Sequence, residues 1–317
     1  MAEKNKGSGF WGGGKYRAIT WSAWAVLLFI FAGGAAPSYP RIYWDMTDNT
    51  GDEYGPGTYQ YPLNQAFEPY KGLFDLASFR VWSEDKESVY FDLKFACITN
   101  PWSAPEGFIH PVIRIYIDHK PGGFVLPLEK GDRIAFSRRY PWDSAVFGIG
   151  WEGSKVYTQG KGGKLRRLSI NASLQGNGRT VRLVVPRTAM GEPGRNWNYY
   201  VLISSYDGFA PSCIRPVMKK RGNWVFGGGR DDEWDPNIID MLAYGKNQEK
   251  MLSSFNPRAG KPACLSPVGY EIKNAGIIRM LWAAWAVLGA FLIWLWRYLG
   301  RRCMLPTFCH WYAGKKE

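Results

Sequence analysis

A chain of 317 residues, 46% hydrophobic and 16% aromatic, is long enough for one good core with segments to spare. Its net charge of +13 would suit a nucleic-acid partner, yet residues 38–275 hold 30 Lys+Arg against 25 Asp+Glu, a net of +5, while the flanks hold 10 against 2, a net of +8. The excess sits beside two apolar segments, so membrane topology explains it and nucleic acid is excluded as the partner. Sixteen Trp exceed ordinary usage and suit membrane interfaces or carbohydrate-contacting surfaces.

Residues 1–17 are polar and Gly-rich, with Lys4, Lys6, Lys15 and Arg17, and read as a cytosolic tail. Residues 18–36 follow without a charge, and basic residues before such a run fit a signal peptide or a retained signal anchor. A small residue at Ala35 suits cleavage, whereas Pro37 and the length of the run suit retention. The folded body is set at residues 38–245. Within it, Asp48, Asp52 and Glu53 crowd a turn, and Gly55-Pro56-Gly57 can continue neither a helix nor a central strand. In the strand predicted over Ser88–Cys97, Val89, Phe91, Leu93 and Phe95 share one face. In Val112–Asp118, Ile113, Ile115 and Ile117 lie opposite Arg114 and Tyr116. Further strands are predicted over Phe79–Trp82, Arg133–Phe136, Ser144–Trp151, Lys155–Thr158, Leu165–Ala172, Thr180–Pro186 and Tyr199–Tyr206, with Gln175–Gly178 as a hairpin turn. No long helical period occurs between residues 38 and 275, so the class is mainly β, an antiparallel β-sandwich.

Residues 246–275 are polar and read as a linker. Residues 277–299 are predicted to be a transmembrane helix, anchored by Trp282, Trp285, Trp294, Trp296, Arg297, Arg301 and Arg302, and residues 300–317 a basic cytosolic tail. Trp21-Ser22-Ala23-Trp24-Ala25-Val26-Leu27 is echoed by Trp282-Ala283-Ala284-Trp285-Ala286-Val287-Leu288, which reads either as composition bias or as small residues permitting helix contact.

Three acids on one turn repel unless a cation or a donor-rich backbone neutralises them. Asp48, Asp52 and Glu53 are therefore metal candidates, with Asp75 or Asp118 from neighbouring strands to complete a calcium shell; the alternative is a turn whose acids accept backbone N–H bonds. Asp231, Asp232, Glu233 and Asp235 form a second acidic group, read as a solvated loop. Trp102, Trp142, Trp151, Trp224 and Trp234 lie in or beside Gly/Pro loops, and indole faces stack on sugar rings; Trp102, Trp142 and Trp234 are the predicted carbohydrate-binding set. Glu106, Asp118 and Asp143 have nothing to set them apart as a glycosidase pair. His110, His119 and His310 are too few and scattered for a triad or a zinc enzyme. Of Cys97, Cys213 and Cys264, at most two can pair.

Several stretches resemble the C-terminal domain of glucodextranase, a domain found also in amylopullulanases and surface-layer-associated proteins. They are Gly51-Asp52-Glu53-Tyr54-Gly55-Pro56-Gly57-Thr58-Tyr59 with Tyr61-Pro62, Phe74-Asp75-Leu76, Thr99-Asn100-Pro101-Trp102-Ser103-Ala104-Pro105-Glu106-Gly107-Phe108, and Ile115-Tyr116-Ile117-Asp118. Later come Ser205-Tyr206-Asp207-Gly208-Phe209, Arg215-Pro216-Val217, Gly227–Gly229 and Asp235-Pro236-Asn237-Ile238-Ile239-Asp240-Met241-Leu242. The resemblance covers roughly residues 45–244 and implies a DOMON-like β-sandwich that binds carbohydrate or attaches enzymes to the cell surface. Glu53 departs from the family, which more often has Asp there. The expectation is a non-catalytic module held at the cell membrane, its body extracellular and its C-terminus cytosolic. It would bind polysaccharide or cell-envelope glycan, or tether a partner. The alternatives are a structural subunit of a membrane-protein complex and a haem-binding electron-transfer module using His119 with a Met.

Overall fold

The computed structural model describes residues 39–302 apart from 69, 152, 161, 162 and 211. Alternation builds the first sheet. In β3 (Ser88–Phe95), Val89, Phe91, Leu93 and Phe95 are buried and their neighbours are not, which is the period of two that a sheet with one wet face requires. Strand β3 pairs antiparallel with β2 (Leu76–Ser83) and with β10 (Thr180–Pro186). The edges are β1 (Arg41–Thr47) and β9 (Asn171–Leu174), giving the order β1-β2-β3-β10-β9.

The second sheet runs β12 (Asp240–Met241), β11 (Asn198–Ser205), β4 (Pro111–Asp118), β6 (Ser144–Gly148), β7 (Lys155–Gln159), β8 (Leu165–Ser169), with β14 (Val268–Gly269) also beside β11. Its strands β4 and β11 are buried on both faces. Ile113, Ile115, Ile117, Val201 and Ile203 share one apolar cluster with Phe79, Phe91, Leu93 and Leu183 of the first sheet, so the two sheets close on a common core. The opposite face carries Tyr116, Phe147, Tyr200 and Leu202 into a second cluster with Phe136, Trp142, Leu252 and Leu265. Each such side chain contributes about 1.5–3 kcal/mol by leaving water. Arg114 is buried on that face because it ion-pairs with Asp132. The body is thus mainly β and antiparallel, as expected.

Two expectations are corrected. The strand predicted over Leu165–Ala172 is two strands: β8 and β9 belong to different sheets, and the chain crosses between them at the buried Ile170. The segment 246–275 is not a linker, and the body does not stop at residue 245. Helix α2 (Asn247–Leu252), which follows the short α1 (Arg187–Met190), buries Gln248 and Leu252. Strand β13 (Ala263–Leu265) pairs in parallel with β5 (Ile134–Phe136), and β14 pairs with β11. Apolar residues spaced through a polar stretch gave that segment its second-sheet contacts.

Helix α3 (Tyr270–Arg302) is long, but among the described residues no helix is long and apolar enough to cross a membrane. Between Arg279 and Arg297 lie 17 residues. At ~1.5 Å per residue they cover about 25 Å of a hydrocarbon core of about 30 Å. Four of the 17 are Trp, whose N–H prefers an interface. Of the anchor set, Trp282, Trp285, Trp294 and Arg297 are exposed on α3. The side chains of Trp296, Arg301 and Arg302 lie outside the described residues, as do residues 1–38, with the 18–36 segment, and residues 303–317.

Candidate functional site

Two places gather chemistry: a cleft walled by aromatics and a knot of carboxylates. The cleft is built by three loops. In the first, Asn100 staples its own turn: its Nδ2 donates to the Ala104 carbonyl at 2.9 Å and its Oδ1 accepts from the Ala104 N–H at 2.8 Å. That turn presents Trp102. In the second, Trp151 is held by its N–H donating to Glu106 Oε2 at 3.2 Å, which ties the two loops together. The third runs from Tyr206 to Trp224 and is fastened by Arg215. The Arg215 guanidinium donates to the Tyr206 carbonyl at 2.7 Å and to the Trp224 carbonyl, and lies 3.6 Å from Asp207. It also sits over the rings of Phe67 and Trp224, 5.2 and 5.5 Å from their centroids. Burial pulls its pKa down and Asp207 opposes that.

Trp102, Trp151, Tyr206, Asp207, Phe209, Arg215 and Trp224 with Gly208 line a cleft of about 490 Å³, the size of a small-ligand site. Trp102, Trp151 and Trp224 stay 36%, 52% and 46% exposed, and Phe209 is fully so. Trp102 and Trp224 lie 6.3 Å apart. Behind them His110 is buried against Trp102, Phe67 and Phe74. Burial and the nearby Arg215 hold its pKa down to about 4, so it is neutral at pH 7. Of the four described non-glycine residues in left-handed backbone, Ser103, Trp151 and Cys213 lie in these loops. Such conformations cost roughly 1–3 kcal/mol each and persist only where the surroundings over-determine them.

The predicted sugar-contacting set divides. Trp102 lines the cleft. Trp142 does not: it is 1% exposed, packed on Tyr116 and Phe124, with its indole N–H donating to the Leu126 carbonyl at 2.8 Å. Trp234 packs half-buried against the second cluster. Trp151, Trp224, Phe209 and Arg215 are the additions, and every one of them stands in or beside a Gly/Pro loop or a stretch shared with the family.

The predicted metal ligands divide too. One carboxylate oxygen from each of Asp52, Asp75 and Asp240 lies within 4.8 Å of the others. Asp48 is coupled to all three. Burial raises every one of these acids, Asp48 to about 8, Asp52 and Asp75 upward and Asp240 well above its usual range, and neighbouring carboxylates add to the rise for Asp48, Asp52 and Asp240. Glu53 stands apart, its oxygens taken by the N–H groups of Gly72 and Phe74 and by the Tyr61 hydroxyl. There the expected alternative, acids accepting backbone N–H, applies. Asp118 is also not a member; it accepts from Asn198 Nδ2 at 3.1 Å at the end of β4. Asp240 joins instead. In the second acidic group, Asp231 accepts from the N–H groups of Glu233 and Trp234, and Asp235 from that of Asp231, so those acids organise a turn. His119 Nε2 lies 2.6 Å from Asp143 and 2.9 Å from Ser144 Oγ, and its ring stacks on Trp197, so the nitrogen wanted for haem and the Asp143 considered for hydrolysis are engaged with each other.

Two antiparallel sheets carrying loops that converge on an open aromatic cleft define a β-rich binding module. The chain belongs to the family of the C-terminal, SLH-like binding module of glucodextranase, whose family model matches residues 44–267. The match spans both sheets and reaches through β13, in keeping with the correction made to the linker. The family is a binding module, not a catalytic domain. A search of curated proteins finds no match.

Proposed function

We propose that this protein is a non-catalytic glycan-binding module whose ligand lies across the cleft between Trp102, Trp151 and Trp224. The carrying observation is the cleft itself: three indoles left a third to a half exposed, on loops fixed by Asn100, Glu106 and Arg215. A protein would bury such surface unless it had a use for it wet. Indole faces cover the C–H faces of sugar rings, and Asp207 and Tyr206 add polar groups to the same lining. The family description supports the same reading. On this reading the body works outside the cytoplasm, where polymeric glycan is met.

The test is affinity electrophoresis of the full chain on gels of α-glucan and of cell-wall polysaccharide. A stacked indole covering about 60 Å² of sugar contributes about 1.5 kcal/mol, so Trp151→Ala and Trp224→Ala should each weaken retention about tenfold. Retention by neither polymer, or retention unchanged in both folded variants, would remove the cleft as the binding site.

A further inference from the structure

Asp52, Asp75 and Asp240 come from a loop, the approach to β2 and the start of β12, and nothing in the aromatic cleft uses them. Each acid spends part of its capacity on local backbone. Asp75 Oδ2 accepts from the Gly51 N–H at 2.8 Å, Asp240 accepts from Leu76 and Met241 at 2.7 and 2.8 Å, and Asp48 Oδ1 accepts from Asn49 at 3.0 Å. What remains points to a ligand. Asp75 is only 4% exposed, and its Oδ1 is buried without a hydrogen-bond partner. Asp48 Oδ2 and Asp52 Oδ1 are orphaned in the same way. A buried carboxylate oxygen with no donor costs several kcal/mol, and three in one place are not tolerated without a neutralising partner. Among the described ion pairs, no Lys, Arg or His reaches any of the four.

The donor set is all oxygen, which selects a hard cation over zinc or copper. Two oxygens on opposite sides of an ion at about 2.4 Å stand about 4.8 Å apart, the limit within which the three carboxylates lie. We propose that Asp52, Asp75 and Asp240, with Asp48 beside them, bind one calcium ion that ties the Asp48–Gly57 loop to β2 and β12. Carbonyl oxygens and water complete the six to eight ligands calcium takes. The site is independent of glycan binding and stands whether or not the cleft reading does.

The experiment is equilibrium dialysis of the EDTA-stripped full chain against about 1 mM calcium, the range of extracellular calcium modules, followed by metal analysis. One calcium per chain is expected, with a melting temperature that rises with calcium and falls back in EDTA. Asp75→Asn should bind at least ~10-fold more weakly, since calcium affinity follows the ligand charge count. In EDTA the same variant should melt at or above wild type, because a repelling charge has been removed. A carboxylate knot held only by protons predicts the reverse: no stoichiometric calcium in wild type, identical melting with and without EDTA, and the same offset for Asp75→Asn in both. That result overturns the proposal. So does magnesium binding with equal affinity, which overturns the assignment to calcium. If Asp75→Asn fails to fold, the wild-type dialysis decides alone.

Discussion

Arg215 is the residue on which the cleft wall depends, and Arg215→Met isolates what its head group does. The guanidinium is 4% exposed and donates to two carbonyls, those of Tyr206 and Trp224, nine residues away on either side. Met keeps most of the aliphatic stem and removes the head group, with its donors, its charge and its place over the Phe67 and Trp224 rings. Hydrogen bonds from a charged donor are worth roughly 1.5–3 kcal/mol each, so the loss of two should cost about 4 kcal/mol. With a urea m-value of roughly 2.5 kcal/mol/M, the midpoint should fall by about 1.5 M with m unchanged. Arg215→Lys should fall between, because one ammonium cannot span both carbonyls in the planar geometry of the fork. Glycan retention measured well below the melting transition should drop more than tenfold in the Met variant, since Trp224 and Tyr206 lose their common anchor. A Met variant within about 1 kcal/mol of wild type that still binds glycan would refute the argument that this side chain holds the cleft open.

Other outcomes follow from single contacts. Gly228 has φ +81°, and a Cβ there would stand 1.9 Å from the Thr58 carbonyl oxygen, so Gly228→Ala should destabilise by more than about 3 kcal/mol in chemical denaturation. Trp142→Ala should cost about 3–5 kcal/mol by opening the second cluster, while the surviving folded fraction retains its glycan affinity, the opposite pattern to Trp224→Ala. The buried His110 has its pKa lowered to about 4 by desolvation and Arg215. The unfolded chain therefore takes up a proton near pH 6.5 that the folded chain refuses, so this contribution is complete above pH 6.5 and lost as pH falls toward 4, amounting to about 3 kcal/mol. Stability measured from pH 7 to pH 4 should show that slope, and His110→Phe should flatten it.

Much of the fold was readable because its local signals agree. Val89, Phe91, Leu93 and Phe95 fall on the inner face of β3 as the period of two requires, and the predicted strands from Ser144, Lys155 and Thr180 begin where the observed ones do. The break at Ile170 was not readable, because Leu165–Ala172 has no Gly or Pro where it changes sheets. Trp142 and Trp151 look alike in sequence, each beside a loop; only the second apolar cluster buries one and leaves the other wet. Asp240 was missed for a related reason. It meets Leu76 across 164 residues of chain, and the local clue was a single acid set among Ile238, Ile239, Met241 and Leu242. A lone carboxylate in so apolar a run must have a partner from elsewhere.

Strand β11 has its late neighbours β12 and β14 at residues 240–241 and 268–269. A nascent chain that has delivered β4 and β11 still cannot finish the larger sheet until these final pieces have left the ribosome. Loop closures this long are slow, and the open strand invites pairing with other chains in the interval. Assembly of the larger sheet therefore waits on residues 240–269, and a truncation after residue 245 should yield a chain that aggregates instead of a smaller working module.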